Sequence, residues 1–186
     1  MSIEQIRQQF DDTAKDIKIN LSKVLSEDGA PDLTTKQQFA TALASAYALQ
    51  NELLIDALLA DGAEHLGEQD IQAAKAAANI MAMNNIYYRF VHLVSDKEFG
   101  KLPANLRMQV IASPSVEKVD FELYSLAVSA INGCGMCMDA HVHEVVKGGI
   151  SKVGVQSAIR IASVIHASNQ ALFVASKSKA LAAEAA

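Results

Sequence analysis

Long apolar runs are missing from this sequence. No stretch approaches the roughly 18 consecutive apolar residues of a membrane-spanning helix, and the opening Met1-Ser2-Ile3-Glu4-Gln5 lacks the charged-then-apolar layout of a secretory signal. A soluble, cytoplasmic protein with no membrane partner is the expectation. Basic excess is missing too: the formal net charge is −5, where a phosphate-tracking protein carries a basic patch, so nucleic acid is not an expected partner. No segment sustains the period-two alternation of β-branched residues that marks strands, which disfavours a thioredoxin fold with its central sheet. No dinucleotide fingerprint occurs, so no bound flavin or nicotinamide is expected. Cysteine is scarcest of all, with Cys134 and Cys137 the only two. In a reducing compartment a permanent structural disulfide is a poor expectation, so a lone pair three residues apart points to redox, sensing or metal chemistry.

What is present is material for a helical domain. The 186 residues are 51% hydrophobic and 20% charged, with three prolines and no tryptophan, enough to bury a substantial core. Ser2 and Gln5 form a capping-box start, and Ile3, Ile6, Phe10, Ile17, Leu21 and Leu25 recur at helical spacing to a first stop near Asp28-Gly29. Thr35 with Gln38 repeats the capping pattern ahead of a helix over 39–60, and another is expected over 70–94. Between residues 95 and 114, Gly100, Pro103 and Pro114 break the pattern around one short apolar piece, 106–111. Helices over 121–131, 134–147 and 155–176 follow, with Asn132-Gly133 and Gly148-Gly149 as breaks and an alanine-rich tail expected to fray.

The expected fold is therefore all-α, a single domain over 1–186. An N-terminal helical half, about 1–95, is joined by a linker, about 96–114, to a C-terminal half, about 115–176, with the CxxC motif at the start of a helix. Displaced by 84 positions, Ser45-Ala46 falls on Ser129-Ala130, and Gln72, Ala74, Ala78 and Asn85 fall on Gln156, Ala158, Ala162 and Asn169. Two related halves are the expectation from this faint repeat. Cys134, Cys137 and His141 then fall opposite Gln50, Leu53 and Ala57, so the N-terminal half is expected to be scaffold.

The cysteine helix carries the chemistry. Starting after Asn132-Gly133, it places both thiols in a first turn, where unpaired N–H groups and the helix dipole favour an anion. Residues at i and i+3 lie about 5–6 Å apart, within the range a disulfide tolerates. At about 100° per residue, His141 sits some 40° around the helix from Cys137, whereas His143 sits about 240° around and is expected at the surface. His141 is the better acid–base partner for a thiol. If the chain reverses at Asn132-Gly133, Glu122 is laid beside residues 141–144 to orient that imidazole; Glu144, two turns beyond Cys137, is the rival and ranks second. Two cysteines with His141 or His143 also supply three zinc ligands, and inert buried cysteines complete the alternatives. A c-type haem is excluded because Met138 stands where that motif requires histidine. His65, His92 and His166 are read as ordinary core or surface residues, and Met81, Met83 and Met108 as core packing.

The run Phe121-Glu122-Leu123 … Ala127-Val128-Ser129-Ala130-Ile131-Asn132-Gly133-Cys134, followed by Cys137 and His141, resembles the alkyl hydroperoxidase AhpD family, within the carboxymuconolactone decarboxylase-like superfamily. So do the opening Met1-Ser2-Ile3-Glu4 with Ala14-Lys15-Asp16-Ile17, the stretch Met81-Ala82-Met83-Asn84-Asn85 with Tyr88-Arg89, and Leu106-Arg107-Met108. The resemblance implies a helical fold of two related halves assembled as a homotrimer. It implies a thiol peroxidase for alkyl hydroperoxides in which Cys137 is peroxidatic, Cys134 resolving, and Glu122 and His141 relay protons, with a redox-active Cys134-Cys137 disulfide and no bound cofactor. The partners it implies are the peroxiredoxin AhpC, which the protein would reduce, and a lipoylated dehydrogenase subunit supplying electrons as dihydrolipoamide. One position departs from the family pattern: Met136 stands where a second relay histidine is usual. That departure implies, as an alternative, a disulfide reductase or relay with little direct peroxidase activity. A zinc-stabilised interaction module is the reading from a different class.

Overall fold

The computed structural model describes residues 1–184, and all regular structure among them is helical. The elements are α1 (Ile3–Arg7), a 3₁₀ turn (Asp12–Ala14), α2 (Lys15–Val24), α3 (Thr35–Ala48), α4 (Glu52–Asp61) and α5 (Glu68–Leu93). A second 3₁₀ turn (Lys97–Lys101) and the short α6 (Gln109–Ala112) follow, then α7 (Lys118–Ile131), α8 (Gly135–Lys147) and α9 (Lys152–Glu184). The two short pieces at 97–101 and 109–112 fall where the sequence reads as linker. No helix among the described residues is long and apolar enough to cross a membrane.

Helix α7 is the axis of the molecule. It packs against α8, α3, α9 and α5, and residues 120–129 are all buried. Phe121, Leu123, Tyr124 and Leu126 are large and enclosed; truncating such an aromatic to alanine costs about 3–5 kcal/mol. Beside it, α3 is equally enclosed but made of small residues, with Ala40, Ala42, Ala44 and Ala46 all buried. A helix apolar all round belongs inside, and small side chains let its neighbours come close. The N-terminal ends of the two are tied by charge. Asp120, buried, accepts from Gln37 Nε2 at 2.7 Å and pairs with Lys36 Nζ at 2.8 Å. The Lys36 hydrogen bond to Asp120, with the charges of Asp120 and Asp70, raises the Lys36 pKa against its partial burial.

Several boundaries differ from the sequence-based expectations, that of α7 among them, which starts at Lys118 and not at 121. The first helix is interrupted after Arg7, because Asp11 accepts from Thr13 N at 3.0 Å and caps a new turn. The segment 39–60 is two helices: Gln50 takes a left-handed φ of 55° and Asn51 caps α4 through Leu54 N. The α3 capping box is one residue earlier than Thr35-Gln38, formed by Thr34 and Gln37. Doubled Thr-Thr and Gln-Gln leave that register ambiguous in sequence. The last helix starts at Lys152 and runs past 176 to Glu184, since alanine favours helix when no breaker intervenes; residues 185–186 of the tail lie outside the described residues.

A dithiol site on α8

The hinge between α7 and α8 sets the geometry. Asn132 ends α7, Gly133 takes φ 69°, and Cys134 is the N-cap of α8. A left-handed residue carries a cost of roughly 1–2 kcal/mol with a Cβ, which glycine escapes. The cap itself is unusual in its atom: Cys134 Sγ accepts from Cys137 N at 3.3 Å, the role a serine or aspartate oxygen ordinarily fills. The two cysteines form a disulfide with Cα atoms 5.3 Å apart. Cys134 is wholly enclosed at 0% exposure, while Cys137, at 6%, reaches a pocket.

The reversal lays α8 antiparallel on α7, with Lys118 beside Glu144, Glu122 beside His141 and Val119 against Gly148. His141 and Glu122 are both buried, and His141 Nδ1 lies 2.6 Å from Glu122 Oε2. An ionised carboxylate only accepts, so with Glu122 charged the ring Nδ1–H donates to it, leaving Nε2 to exchange protons. Nε2 faces Met81 Sδ at 3.3 Å. Glu144 makes no hydrogen bond or ion pair with His141. It accepts from Lys118 Nζ at 2.7 Å, and this bond, with the charges of Lys118, Lys147 and His143, holds its pKa below the usual carboxylate value. His143 lies at the surface, with three-quarters of its side chain exposed.

A pocket of about 370 Å³ opens over these groups, lined by Cys137, His141, Glu122 and Glu144 and otherwise largely apolar. Its far wall comes from segments that sequence reasoning leaves out of the site. Helix α5 contributes Met81, Asn84 and Tyr88, and the 95–114 segment contributes Met108 and Ile111. The N-terminal half is thus more than scaffold, because α5 packs on both α7 and α8 and its inner face becomes a pocket wall. Met81 is buried in the core, as expected, yet its sulfur also touches the histidine. The signals for these residues in the sequence are the apolar piece at 106–111, the spacing of Met81, Asn84 and Tyr88 along one helix face, and the family resemblance of the stretches that hold Met81, Asn84, Tyr88 and Met108. Met136 stands at the mouth of the pocket, 42% exposed.

Among the described residues no three His, Cys, Asp or Glu side chains cluster as metal ligands. The geometry by itself defines an all-helical dithiol–disulfide protein whose CxxC motif faces an apolar pocket and a buried Glu–His pair. Residues 97–177 match the model of the carboxymuconolactone decarboxylase family. A protein of Coxiella burnetii (strain RSA 493 / Nine Mile phase I) named alkyl hydroperoxide reductase AhpD is 52% identical over 175 residues, 94% of this chain and 99% of that one. The proteins of the same name from Rhodospirillum centenum and Bradyrhizobium sp. are 51% identical over 167 residues and 47% over 184. They cover 90% and 99% of this chain, and the matches span 88% and 100% of those proteins. The chain belongs to the alkyl hydroperoxide reductase AhpD family.

Proposed function

We propose that this protein is a lipoyl-dependent alkyl hydroperoxide reductase in which Cys137 attacks the peroxide, Cys134 resolves the product, and His141 with Glu122 moves the protons. The observation that carries the reading is convergence. The less enclosed cysteine, a histidine one turn further along α8 and that histidine's buried carboxylate partner all border one apolar pocket, with the second cysteine closed off behind. An apolar pocket suits an alkyl group, and a cysteine in a helix's first turn is favoured as the thiolate.

In the reduced protein, His141 takes the Cys137 proton, its charge supported by Glu122. The thiolate attacks the terminal oxygen of ROOH, the O–O bond breaks heterolytically, and the departing RO⁻ recovers a proton from His141 and leaves as ROH. Cys137 is then a sulfenic acid, two electrons oxidised. Cys134 sulfur attacks it, the S–S bond forms, and hydroxide leaves as water with the second thiol proton. Dihydrolipoamide reduces that disulfide by two exchange steps and becomes the cyclic disulfide. The sum is ROOH plus dihydrolipoamide giving ROH, water and lipoamide, with no bound cofactor. By the same disulfide chemistry the protein reduces the peroxiredoxin AhpC, with a lipoylated dehydrogenase subunit as its source of electrons. A cytoplasmic homotrimer goes with this reading; the exposed Ile86, Phe90 and Leu93 along one face of α5 support an assembly.

A second balance of activities has one observation in its favour. Met136 at the pocket mouth carries no proton, which favours disulfide relay over direct peroxide reduction. The zinc-stabilised module has no such support: among the described residues no three His, Cys, Asp or Glu side chains group as ligands. The test is hydroperoxide consumption with dihydrolipoamide as the only reductant. Turnover in the intact protein that vanishes in Cys137→Ser supports the peroxidase; unimpaired turnover in Cys137→Ser contradicts it.

A further inference from the structure

The pocket over Cys137 is lopsided in charge. It is lined by two carboxylates and by neither lysine nor arginine. Glu122 has a hydrogen-bond partner inside the pocket, His141 Nδ1 at 2.6 Å. Glu144 has none there: Lys118 Nζ lies 2.7 Å and Lys147 Nζ 3.9 Å from it, but both lysine side chains are more than half exposed and neither is part of the lining. A ligand therefore meets the Glu144 carboxylate, with these cations outside the lining. The wall holds one further acceptor without a donor, Asn84 Oδ1, buried and unpartnered. The other lining side chains, Met81, Tyr88, Met108, Ile111, Met136 and Ala140, carry no charge.

Position matters as much as sign. Glu144 is seven residues after Cys137 on α8, which at 1.5 Å per residue puts it about 10 Å along the axis from the sulfur. A short alkyl dithiol with one sulfur on Cys137 and its chain laid along the helix brings the far end of that chain towards Glu144. An amide there offers N–H groups to the carboxylate; a free carboxylate there offers only negative charge and lone pairs, and like charges held close in a half-dry pocket repel.

We propose that Glu144 makes this pocket selective against carboxylates, so that it takes dithiols and hydroperoxides ending in a neutral amide, ester or alcohol in preference to the same molecules ending in a free acid. The proposal deepens the dithiol-peroxidase reading and rests on it. For a lipoyl donor it means the amide-linked form is favoured over free dihydrolipoate, although the reacting dithiol is the same. In the exchange, a thiolate of the donor attacks a sulfur of the Cys134–Cys137 disulfide to give a mixed disulfide and one cysteine thiolate. The donor's second thiol then closes the cyclic disulfide and releases the other cysteine, with both donor protons ending on the protein thiols or in solvent.

The test compares rates of Cys134–Cys137 reduction by dihydrolipoamide and by dihydrolipoate, read by thiol counting. Each rate is normalised to the same dithiol reducing a small free disulfide, to remove intrinsic reactivity. At low ionic strength the intact protein should prefer the amide by about tenfold, and salt well above physiological strength should shrink that preference. E144Q should bring the ratio to about twofold or less, and Lys118→Ala, which removes the nearest cation from the carboxylate, should raise it. A ratio near one in the intact protein, or the same ratio in E144Q, overturns the proposal. Reduction by neither dithiol overturns the lipoyl reading beneath it. Whether the reduced protein then consumes hydroperoxide is a separate readout that does not enter the ratio.

Discussion

The junction between α3 and α4 and the junction between α7 and α8 use the same three pieces. Each ends a 14-residue helix on a right-handed residue, Leu49 or Asn132. Each then places one residue at positive φ, Gln50 at 55° or Gly133 at 69°. Each restarts with an N-cap, Asn51 or Cys134. The difference lies in the atom that does the capping and in what stands on the same stripe. Asn51 accepts from Leu54 N through its amide oxygen at 3.0 Å, and its amide nitrogen donates to Asn169 Oδ1 at 2.8 Å. Cys134 caps with sulfur; three residues on stands Cys137 where the other junction has Leu54, and seven on stands His141 where it has the buried Leu58. One backbone device thus serves as a clamp in one place and as a dithiol centre in the other.

The largest effect should come from separating the two duties of Cys134. Cys134→Ser keeps a capping oxygen, so thermal unfolding of the reduced protein should move by no more than about 0.5 kcal/mol. Multiple turnover should nonetheless be lost, with Cys137 driven to sulfinic acid under excess peroxide, visible by mass. A cap variant that loses stability and keeps turnover would reverse the reading of that junction.

Next in size is the buried pair that the other junction lacks. Glu122→Gln keeps the shape and removes the charge that supports a protonated His141. The rate with hydroperoxide should fall by about 10²-fold, the lower end of what a positioned acid–base group contributes. Alkylation of Cys137 in the reduced protein should shift to higher pH, a change that a merely structural role would not produce.

The clamp should respond in the opposite sense. Asn51→Ala removes a cap and the link to Asn169, and should cost about 1–2 kcal/mol in chemical denaturation while leaving turnover per folded molecule unchanged. Loss of turnover there would mean that the two junctions are coupled.

How much of this is legible in the sequence follows from the range of the forces involved. Cys134, Cys137 and His141 share one helix, and their relation is local: a break at Asn132-Gly133 and 100° per residue place them. The Glu122–Glu144 choice is not local. It depends on how α7 lies on α8, and Lys118, which takes Glu144 for itself, gives no sign of this in its spacing. The break at Gln50 carries neither glycine nor proline, so 39–60 reads as a single helix, and only a left-handed backbone held by the surrounding packing divides it. Met81, Asn84, Met108 and Ile111 reach the pocket through tertiary packing of α5 and the 95–114 segment, which periodicity does not encode.

The smallest effect concerns the link between the starts of α3 and α7. The raised pKa of Lys36, owed first to its hydrogen bond with Asp120, means that the folded state holds this proton more tightly than the unfolded chain. Its contribution is complete below the ordinary lysine pKa and is lost as pH rises through the raised one. Lys36→Met should therefore lower the melting temperature slightly near neutral pH and flatten its decline above about pH 10. An unchanged alkaline slope would remove Lys36 as the group responsible.

The central claim is that the pocket-facing thiol, Cys137, and not the capping thiol, attacks the peroxide. The direct measurement treats reduced Cys134→Ser and reduced Cys137→Ser with one equivalent of alkyl hydroperoxide and traps any sulfenic acid with dimedone for mass analysis. The account predicts a trapped adduct on Cys137 in the first variant and none in the second; an adduct on Cys134, formed at a comparable rate, would contradict it.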